Sequence, residues 1–219
     1  MWYCHATFLS CCINPKKQTL NNTKKILQNN IMFYIILLLT LYVAMLYAMP
    51  TRYIYYLPTI PVYPDNKTES ELVYRLTLER TQRDLDFFEK TDYSIVYAYN
   101  EIVDIPLQTL FDIVSQSNVM FLMLSTKGFF NRARPWQVDT RIQKRPSITD
   151  KTPSYPAGHA LQAYYLSYVL GKMYPERQAH FDNIAYECDR CRVYAGLHYP
   201  SDGAFSMYLV YLMRKIGYF

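Results

Sequence analysis

Residues 154–177, SYPAGHALQAYYLSYVLGKMYPER, decide the fold predicted for this chain. A helix is expected over about residues 159–174, because Pro175 cannot continue it. His159 stands at the start of that helix, directly after Gly158. Glycine lets backbone N–H groups approach a ligand closely, and a helix N-terminus favours an anion. The stretch therefore predicts a helix that begins beside a titratable side chain and an anion.

Five further helices are expected around this one. The run Thr68-Glu69-Ser70-Glu71 reads as a capping box and opens the first of them. Their expected ranges are about 68–90, 92 or 94 to 103, 106–125, 175–195 and 201–216. Alternating strand patterns are scarce. We therefore predict an all-α fold, a single-domain helical bundle.

The most apolar stretch, IMFYIILLLTLYVAMLYAM, covers residues 31–49 without a charge, glycine or proline. A run of this length can span the hydrocarbon layer of a bilayer. Four lysines and no acidic residue precede it in residues 1–30, which places the N-terminus in the cytosol and everything after the run on the other side. We expect a single-pass membrane protein with an uncleaved signal-anchor. The alternative is a cleaved signal peptide and a secreted protein, and a start at Met32 would remove the lysines that set the orientation.

Four segments follow from this pattern: a basic cytosolic segment over residues 1–30, a transmembrane segment over 31–49, a Pro/Tyr-rich linker over 50–66 and the body over 67–219. The triplet Asn66-Lys67-Thr68 is a glycosylation sequon, consistent with a body outside the cytosol. Five cysteines are too few for a disulfide framework. Cys188 and Cys191 fit a local disulfide or two separate thiols better than a metal site.

The overall composition narrows the class of protein. Half of the 219 residues (51%) are hydrophobic and 19% are charged, which excludes a disordered chain. The 23 tyrosines indicate a core with polar edges. A net charge of +5 is too small to indicate a nucleic-acid partner.

Chemistry-bearing residues concentrate in three places. Residues 127–157 form a long basic segment rich in proline, expected to be a loop that faces an anion. It starts with KGFFNRARP, in which Arg134-Pro135 follows Lys127 by seven residues. The second place is the start of the helix at His159, and the third is RVYAGLHYPSD, residues 192–202.

These residue types suit a phosphate group. Lysine and arginine supply positive charge and donors that match phosphoryl oxygens. Asp202, four residues after His198, can hold that histidine in one tautomer and leave its other nitrogen as nucleophile or base. A second histidine can protonate the leaving oxygen.

The three pieces together resemble the type 2 phosphatidic acid phosphatase superfamily, which includes the class A non-specific acid phosphatases and the vanadium haloperoxidases. The family pattern is K-x6-R-P, then P-S-G-H, then S-R-x5-H-x3-D. The stretches SYPAGHALQAYYLSYVLGKMYPER and CRVYAGLHYPSDGA are most similar to the class A branch, and RDLDFFEKTD near residue 83 also resembles it. The resemblance covers about residues 80–215 and makes 67–219 a phosphatase domain.

The resemblance implies a role for each matching residue. Lys127, Arg134 and Arg192 would bind phosphate with help from the Gly158 backbone. His198 would attack phosphorus to form a phosphohistidine, and Asp202 would orient it. His159 would protonate the leaving alcohol and then activate water. No metal or cofactor is expected, and vanadate should inhibit as a phosphate mimic.

This chain departs from the family pattern at two positions. Ala157 stands where the family often has serine, and Cys191 replaces the serine before Arg192. Loss of one hydroxyl contact to a charged phosphate costs about 1.5–3 kcal/mol, so slower turnover is expected. A Cys188–Cys191 disulfide that braces the Arg192 segment is one hypothesis for the second departure.

The predicted function is hydrolysis of phosphomonoesters, either of small molecules or of lipids. A lipid phosphatase acting on phosphatidate-like substrates is one alternative, because an anchor would hold the site beside a membrane. A vanadate-dependent haloperoxidase and a catalytically silent phosphate-binding protein are the others. The natural substrate and the oligomeric state stay open.

Overall fold

A computed structural model describes residues 34–35, 37–42 and 63–219. The chain divides into two units, residues 1–48 and 49–219, and each is described by itself. In the first unit the described residues are helical. The predicted basic segment, the linker up to residue 62 and much of the predicted span over 31–49 lie outside the described residues. Within the described part, no helix combines the length and the apolar character needed to cross a membrane.

The regular secondary structure in the described part of the second unit is all helical. Its elements in chain order are α1 (Asn66–Glu79), α2 (Gln82–Asp92), α3 (Val96–Asn100), α4 (Leu107–Val114), α5 (Ser117–Phe130), α6 (Pro135–Val138), α7 (Gly158–Met173), a 3₁₀ turn (Pro175–Arg177), α8 (Gln178–Tyr194) and α9 (Pro200–Lys215). No β-strand is formed within residues 63–219. The predicted all-α class is therefore confirmed for this unit.

The helix predicted over residues 68–90 is wrong, because two helices occupy that range. Asp65 caps α1 by accepting a hydrogen bond from the Thr68 amide at 2.9 Å, so the expected capping box is not used. The chain leaves the helix at Arg80. Thr81 then opens α2 through reciprocal hydrogen bonds with Asp84. These bonds satisfy amides that would otherwise lack acceptors, which allows a new helix to start there.

The helix predicted over residues 106–125 is also divided, at Ser115 and Gln116. Its second part, α5, continues to Phe130 and ends at Asn131, which has a left-handed conformation with φ of 46°. Asparagine tolerates that conformation better than most residues do. As a result Lys127 lies in the last turn of a helix and not in the loop where it was expected.

Helix α7 lies at the centre of the packing and contacts α4, α5, α8 and α9. Its neighbours cover it on several sides, which explains why apolar residues occur all around it. One core cluster joins it to α3, α4 and α8, and a second joins it to α5 and α9. Tyr99 of α3 ties the first cluster together, because its hydroxyl donates to the carbonyls of Ala163 and Phe181.

Truncation of α7 in the first cluster tests this arrangement. Leu166 is fully buried there, and Leu166→Ala should lower the free energy of unfolding by about 2–5 kcal/mol, because it leaves a cavity. Leu78→Ala is the matched control, since that side chain is 69% exposed and its loss should change stability by about 0.5 kcal/mol or less. Urea denaturation measures both, and equal losses in the two variants would contradict the central position of α7.

Candidate functional site

Lys127 enters the site from the last turn of α5. Its side chain is 3% exposed, and its Nζ donates to the Pro153 carbonyl at 2.6 Å. No carboxylate of the described residues forms an ion pair with it. Burial and the nearby positive charge of Arg134 hold its pKa well below the usual value. An anion would offset the cost of keeping this amino group charged.

Arg134 enters from the segment before α6 and is equally buried. Its guanidinium donates to the carbonyls of Thr149, Thr152 and Leu197. These three bonds fix the plane of the group. Its Nη1 also lies 3.3 Å from Nε2 of His198, so the guanidinium and the imidazole share one space.

Arg192 enters from the last turn of α8. Nη1 donates to Asp92 Oδ1 and Nη2 donates to the Thr91 carbonyl, both at 2.5 Å. Its Nε is buried and has no hydrogen-bond partner among the described residues. A buried donor without an acceptor is costly, so this nitrogen is available to an anion. The end of α2 thus holds Arg192 from behind.

His198 and Asp202 form a buried pair before and within the first turn of α9. Nδ1 of His198 lies 3.0 Å from Oδ2 of Asp202. The same oxygen accepts bonds from the Tyr199 amide at 2.9 Å and from the Ser154 hydroxyl. Because a carboxylate only accepts, Nδ1 carries the proton and Nε2 keeps its lone pair. That lone pair faces Arg134, which is a donor.

The charge state of this pair follows from its surroundings. Burial alone would raise the pKa of Asp202, but Arg132 and the hydrogen bonds from His198 and Ser154 outweigh it and lower the pKa. Burial and Arg134 lower the pKa of His198 to about 3, against the opposing effect of Asp202. The pair is therefore an ionised carboxylate beside a neutral imidazole near neutral pH.

His159 lies in the first turn of α7. Its Nε2 donates to the Asp92 carbonyl at 3.1 Å. Burial and the charge of Arg192 hold its pKa well below the usual value. Asp92 consequently orients two site residues at once, Arg192 through its carboxylate and His159 through its carbonyl.

The N-terminus of α7 completes the site. None of the described side chains caps this helix, so its first amides have no helical acceptor. A Cβ on Gly158 would lie 2.8 Å from the Met123 sulfur and 3.6 Å from Cε of Lys127. Glycine therefore lets α5 pack closely and brings Lys127 to the helix start. Ala157 is fully buried, and its amide donates to the Asp202 carbonyl at 3.3 Å.

The structure brings all of the residues singled out in the sequence to one buried region, although their roles stay predictions. They are Lys127, Arg134, Ala157, Gly158, His159, Arg192, His198 and Asp202. Other cations of the basic segment do not join them. Arg141, Lys144 and Arg145 form ion pairs elsewhere, so only part of the positive charge of residues 127–157 lies in this region.

Sequence reasoning missed Arg132, Ser154 and Asp92 as site residues. Arg132 and Ser154 contact Asp202, and Asp92 contacts Arg192 and His159. The spacing of Arg132 and Arg134 was the available signal, since residues two apart in an extended segment project to the same face. For Asp92 the available signal was the stretch RDLDFFEKTD, which it ends and which resembles the class A branch.

Cys188 and Cys191 are not part of the site. Cys188 and Cys191 are free, buried thiols, so the proposed disulfide between them is wrong. Both lie on α8, and Cys191 packs against Phe88, Ala195 and Leu197. The cysteine that replaces serine therefore sits in an apolar cluster behind Arg192. Among the described residues, no group of three or more His, Cys, Asp or Glu side chains could hold a metal ion.

The fold and the site define a class of protein: a helical protein with buried cationic side chains around a His–Asp pair. Residues 110–218 match the PAP2 superfamily, which includes phosphatases and phosphatidate phosphatases. The match takes in α5 to α9 and every site residue predicted from the sequence. Helices α1 and α2 precede it. Comparison with curated proteins found no match.

The lowered histidine pKa values predict how stability depends on pH. An unfolded histidine titrates near ~6.5, whereas His198 titrates near 3 in the folded protein. The unfolded chain therefore binds protons first as the pH falls, and stability is lost from about pH 6.5 downward. Between pH 7.5 and 5.5 we expect His198 to account for a loss of about 1.4 kcal/mol.

Urea denaturation at the two pH values measures this loss. His198→Asn should remove its share of the pH dependence, and His180→Asn, at an exposed position, is the matched control. Inorganic phosphate should reduce the loss in the wild-type protein, because a bound anion favours protonated histidine. The same pH dependence in wild type and His198→Asn would contradict the assignment.

Proposed function

We propose that this protein is a phosphomonoester hydrolase that acts through a phosphohistidine on His198 and needs no metal ion. The observation that carries the proposal is the lone pair on Nε2 of His198, which faces buried cationic side chains while Asp202 holds Nδ1. The match of residues 110–218 to a superfamily that includes phosphatases supports it independently.

In the first step, Nε2 of His198 attacks phosphorus and the bond from phosphorus to the leaving oxygen breaks. His159, protonated for this step, gives its proton to that oxygen, so the alcohol leaves neutral. The new P–N bond makes the imidazole cationic, and the ionised Asp202 stabilises that charge through Nδ1. A bound dianionic phosphate raises the pKa of His159, which makes its protonated form accessible.

In the second step, neutral His159 takes a proton from water as the water oxygen attacks phosphorus. The P–N bond breaks, and its electron pair returns to Nε2 of His198. Inorganic phosphate leaves, and both histidines are back in their initial states, because the proton taken from water restores protonated His159. One residue thus serves as acid and then as base, which is the requirement of a two-step displacement.

The cations stabilise charge on the phosphoryl oxygens in both steps. Arg134 and Arg192 are held by carbonyl and carboxylate oxygens before any substrate enters. Such preorganised donors need little rearrangement during the reaction, and burial strengthens their effect. We propose no cofactor, and vanadate should inhibit by occupying the phosphate position.

Our first choice for the substrate is a small-molecule phosphomonoester, in line with the resemblance to the class A branch. In support of it, the residues between Gly158 and Arg192 form α7, the 3₁₀ turn and α8, which pack against one another. A lipid phosphatase is the second candidate. It is favoured by exposed aromatic side chains on two neighbouring helices, Phe121 and Phe129 of α5 and Tyr208 and Tyr211 of α9.

We also propose that residues 31–49 anchor the protein in a membrane, with the catalytic unit on the non-cytosolic side. The uninterrupted apolar run and the lysines before it support this proposal. Cleavage of the segment would instead release a secreted enzyme.

Replacement of the nucleophile tests the mechanism. His198→Ala should abolish hydrolysis of p-nitrophenyl phosphate, a loss of about 10³-fold or more, because no other group can form the covalent intermediate. His159→Ala should retain more activity than His198→Ala. Its loss of activity should be smallest for substrates whose leaving group needs no proton. Wild-type activity should survive a chelator. Steady-state kinetics measures these effects.

His180→Ala is the control, since His180 is exposed and lies outside the site. Full activity in His198→Ala would overturn the proposal. Phosphatidate in mixed micelles, assayed beside p-nitrophenyl phosphate, separates the two substrate classes. A higher kcat/KM for the lipid would favour the second candidate, and halide oxidation on addition of vanadate would favour a haloperoxidase.

Restoration of the missing hydroxyl is a separate test. Ala157 is the N-cap of α7, so Ala157→Ser places a hydroxyl where it can donate to a bound phosphate and accept from a first-turn amide. We expect kcat/KM to rise about tenfold or more, since a hydrogen bond to a charged group contributes about 1.5–3 kcal/mol. Ala204→Ser, at an exposed position of α9, is the control. An unchanged or lower kcat/KM would show that residue 157 does not reach the phosphate.

A further inference from the structure

Arg132 is a fully enclosed charged side chain near the site, and the proposed chemistry makes no direct use of it. Its side chain has no exposed surface. Its guanidinium lies between the rings of Tyr63 and Tyr199, with its central carbon 4.0 and 3.8 Å from the ring centroids. This stacking holds the plane of the guanidinium and shields it from water.

Each nitrogen of that guanidinium has an acceptor. Nε donates to Asn66 Oδ1 at 2.8 Å, and Nη2 donates to Glu69 Oε2 at 2.7 Å. Nη1 donates to Ser201 Oγ and to Asp202 Oδ1, both at 2.7 Å. One side chain therefore connects α1 to the first turn of α9, where the His198–Asp202 pair lies.

Glu69 is the other half of this connection. Oε1 accepts from the Ser201 amide at 2.8 Å, and Oε2 accepts from the Ser201 hydroxyl at 2.6 Å as well as from Arg132. The carboxylate is nearly buried. It thus holds the backbone immediately before Asp202 and offsets part of the charge of Arg132. Glu69 lies in α1, outside the residues that match the superfamily.

The two oxygens of Asp202 have separate tasks. Oδ2 binds His198, Ser154 and the Tyr199 amide, whereas the ion pair to Arg132 is made by Oδ1. Without Arg132 the carboxylate would lose its only ion-pair partner among the described arginines and lysines. It could then rotate about its Cβ–Cγ bond and release Nδ1 of His198.

We propose that Arg132 and Glu69 are a positioning pair that sets the orientation and charge of Asp202 and so keeps Nε2 of His198 unprotonated for attack on phosphorus. Neither residue touches the substrate. The functional consequence rests on the proposed hydrolase activity, but the effect on His198 does not. In such a hydrolase, α1 must be packed in place before His198 takes the orientation and tautomer needed for attack.

A merely structural pair would tie α1 to the body without affecting His198. A positioning pair and a structural pair differ in how the two substitutions should shift the titration of His198. Removal of the positive charge of Arg132 should make His198 easier to protonate, whereas removal of the negative charge of Glu69 should make it harder. Loosening of the fold would not move the two variants in opposite directions.

Other groups also act on His198 and are kept constant in this comparison. Asp202 faces it from α9, Arg134 from the segment before α6, Lys127 from α5 and His159 from α7. Arg132 itself has a raised pKa, since Asp202 and Glu69 outweigh the lowering effect of burial. It stays charged throughout the titration.

The experiment uses the full chain as Arg132→Met, Arg132→Lys and Glu69→Gln. Arg141→Met and Glu71→Gln are matched controls, because these two exposed residues form an ion pair that involves α1 but not the site. Long-range ¹H–¹⁵N NMR follows the titration and tautomer of His198 in saturating inorganic phosphate, with His198→Asn as the assignment standard. Hydrolysis of p-nitrophenyl phosphate gives kcat and KM.

We expect the His198 titration to move to higher pH in Arg132→Met and to lower pH in Glu69→Gln, with both controls unchanged. In Arg132→Met, kcat should fall about 100-fold, the usual effect of a misplaced catalytic group, while KM changes by about twofold or less. Arg132→Lys should recover part of the loss in kcat, because it keeps the charge but not the forked geometry.

The outcomes separate this inference from the proposed function. Opposite titration shifts in a wild-type protein that hydrolyses no phosphomonoester would leave the positioning pair standing and overturn the hydrolase. Unmoved titrations, or shifts in the same direction, would overturn the positioning pair even if hydrolysis is observed. If Arg132→Met does not fold, Glu69→Gln decides alone: a shift to lower pH supports the pair, and no shift or a shift to higher pH overturns it.

Discussion

The buried, ionised carboxylate of Asp202 is the interaction on which the rest of the site depends. It has no exposed surface, and burial of a charge is tolerated only when hydrogen bonds and an opposite charge replace water. Arg132, His198, Ser154 and the Tyr199 amide supply them. The segments around α6, α7 and α9 must therefore be in place together, and the tautomer of His198 follows from that arrangement.

Helices outside the superfamily match contribute to this arrangement from behind. The end of α2 provides Asp92 and Thr91 to Arg192, and α1 provides Asn66 and Glu69 to Arg132. The same contact changes the interpretation of the sequon at Asn66. Its side chain accepts a hydrogen bond from Arg132 and is 4% exposed, so this residue packs in the interior of the folded protein.

Much of the fold could be predicted, because its strongest signals are local. The expected helices over 159–174, 175–195 and 201–216 correspond closely to α7, α8 and α9, whose ends are marked by prolines and glycine. Predictions failed where a second local signal competed with a long apolar pattern. The Thr81–Asp84 cap interrupts one expected helix. Helix α5 continues until Asn131, so Lys127 lies in a helix. The basic, proline-rich composition of residues 127–157 had indicated a loop there.

The sequence by itself determined the parts of the site that depend on short spacing. Four residues separate His198 from Asp202, which suffices to bring an imidazole to a carboxylate at a helix start, and Gly158 puts His159 at the start of another helix. Only the tertiary structure decided which charged side chains lie beside these residues. It pairs Arg132 with Glu69 across 63 positions and Arg192 with Asp92 across 100, and it places Cys191 behind the site. Contacts at such separations depend on how whole helices pack, and no periodicity in the chain encodes that packing.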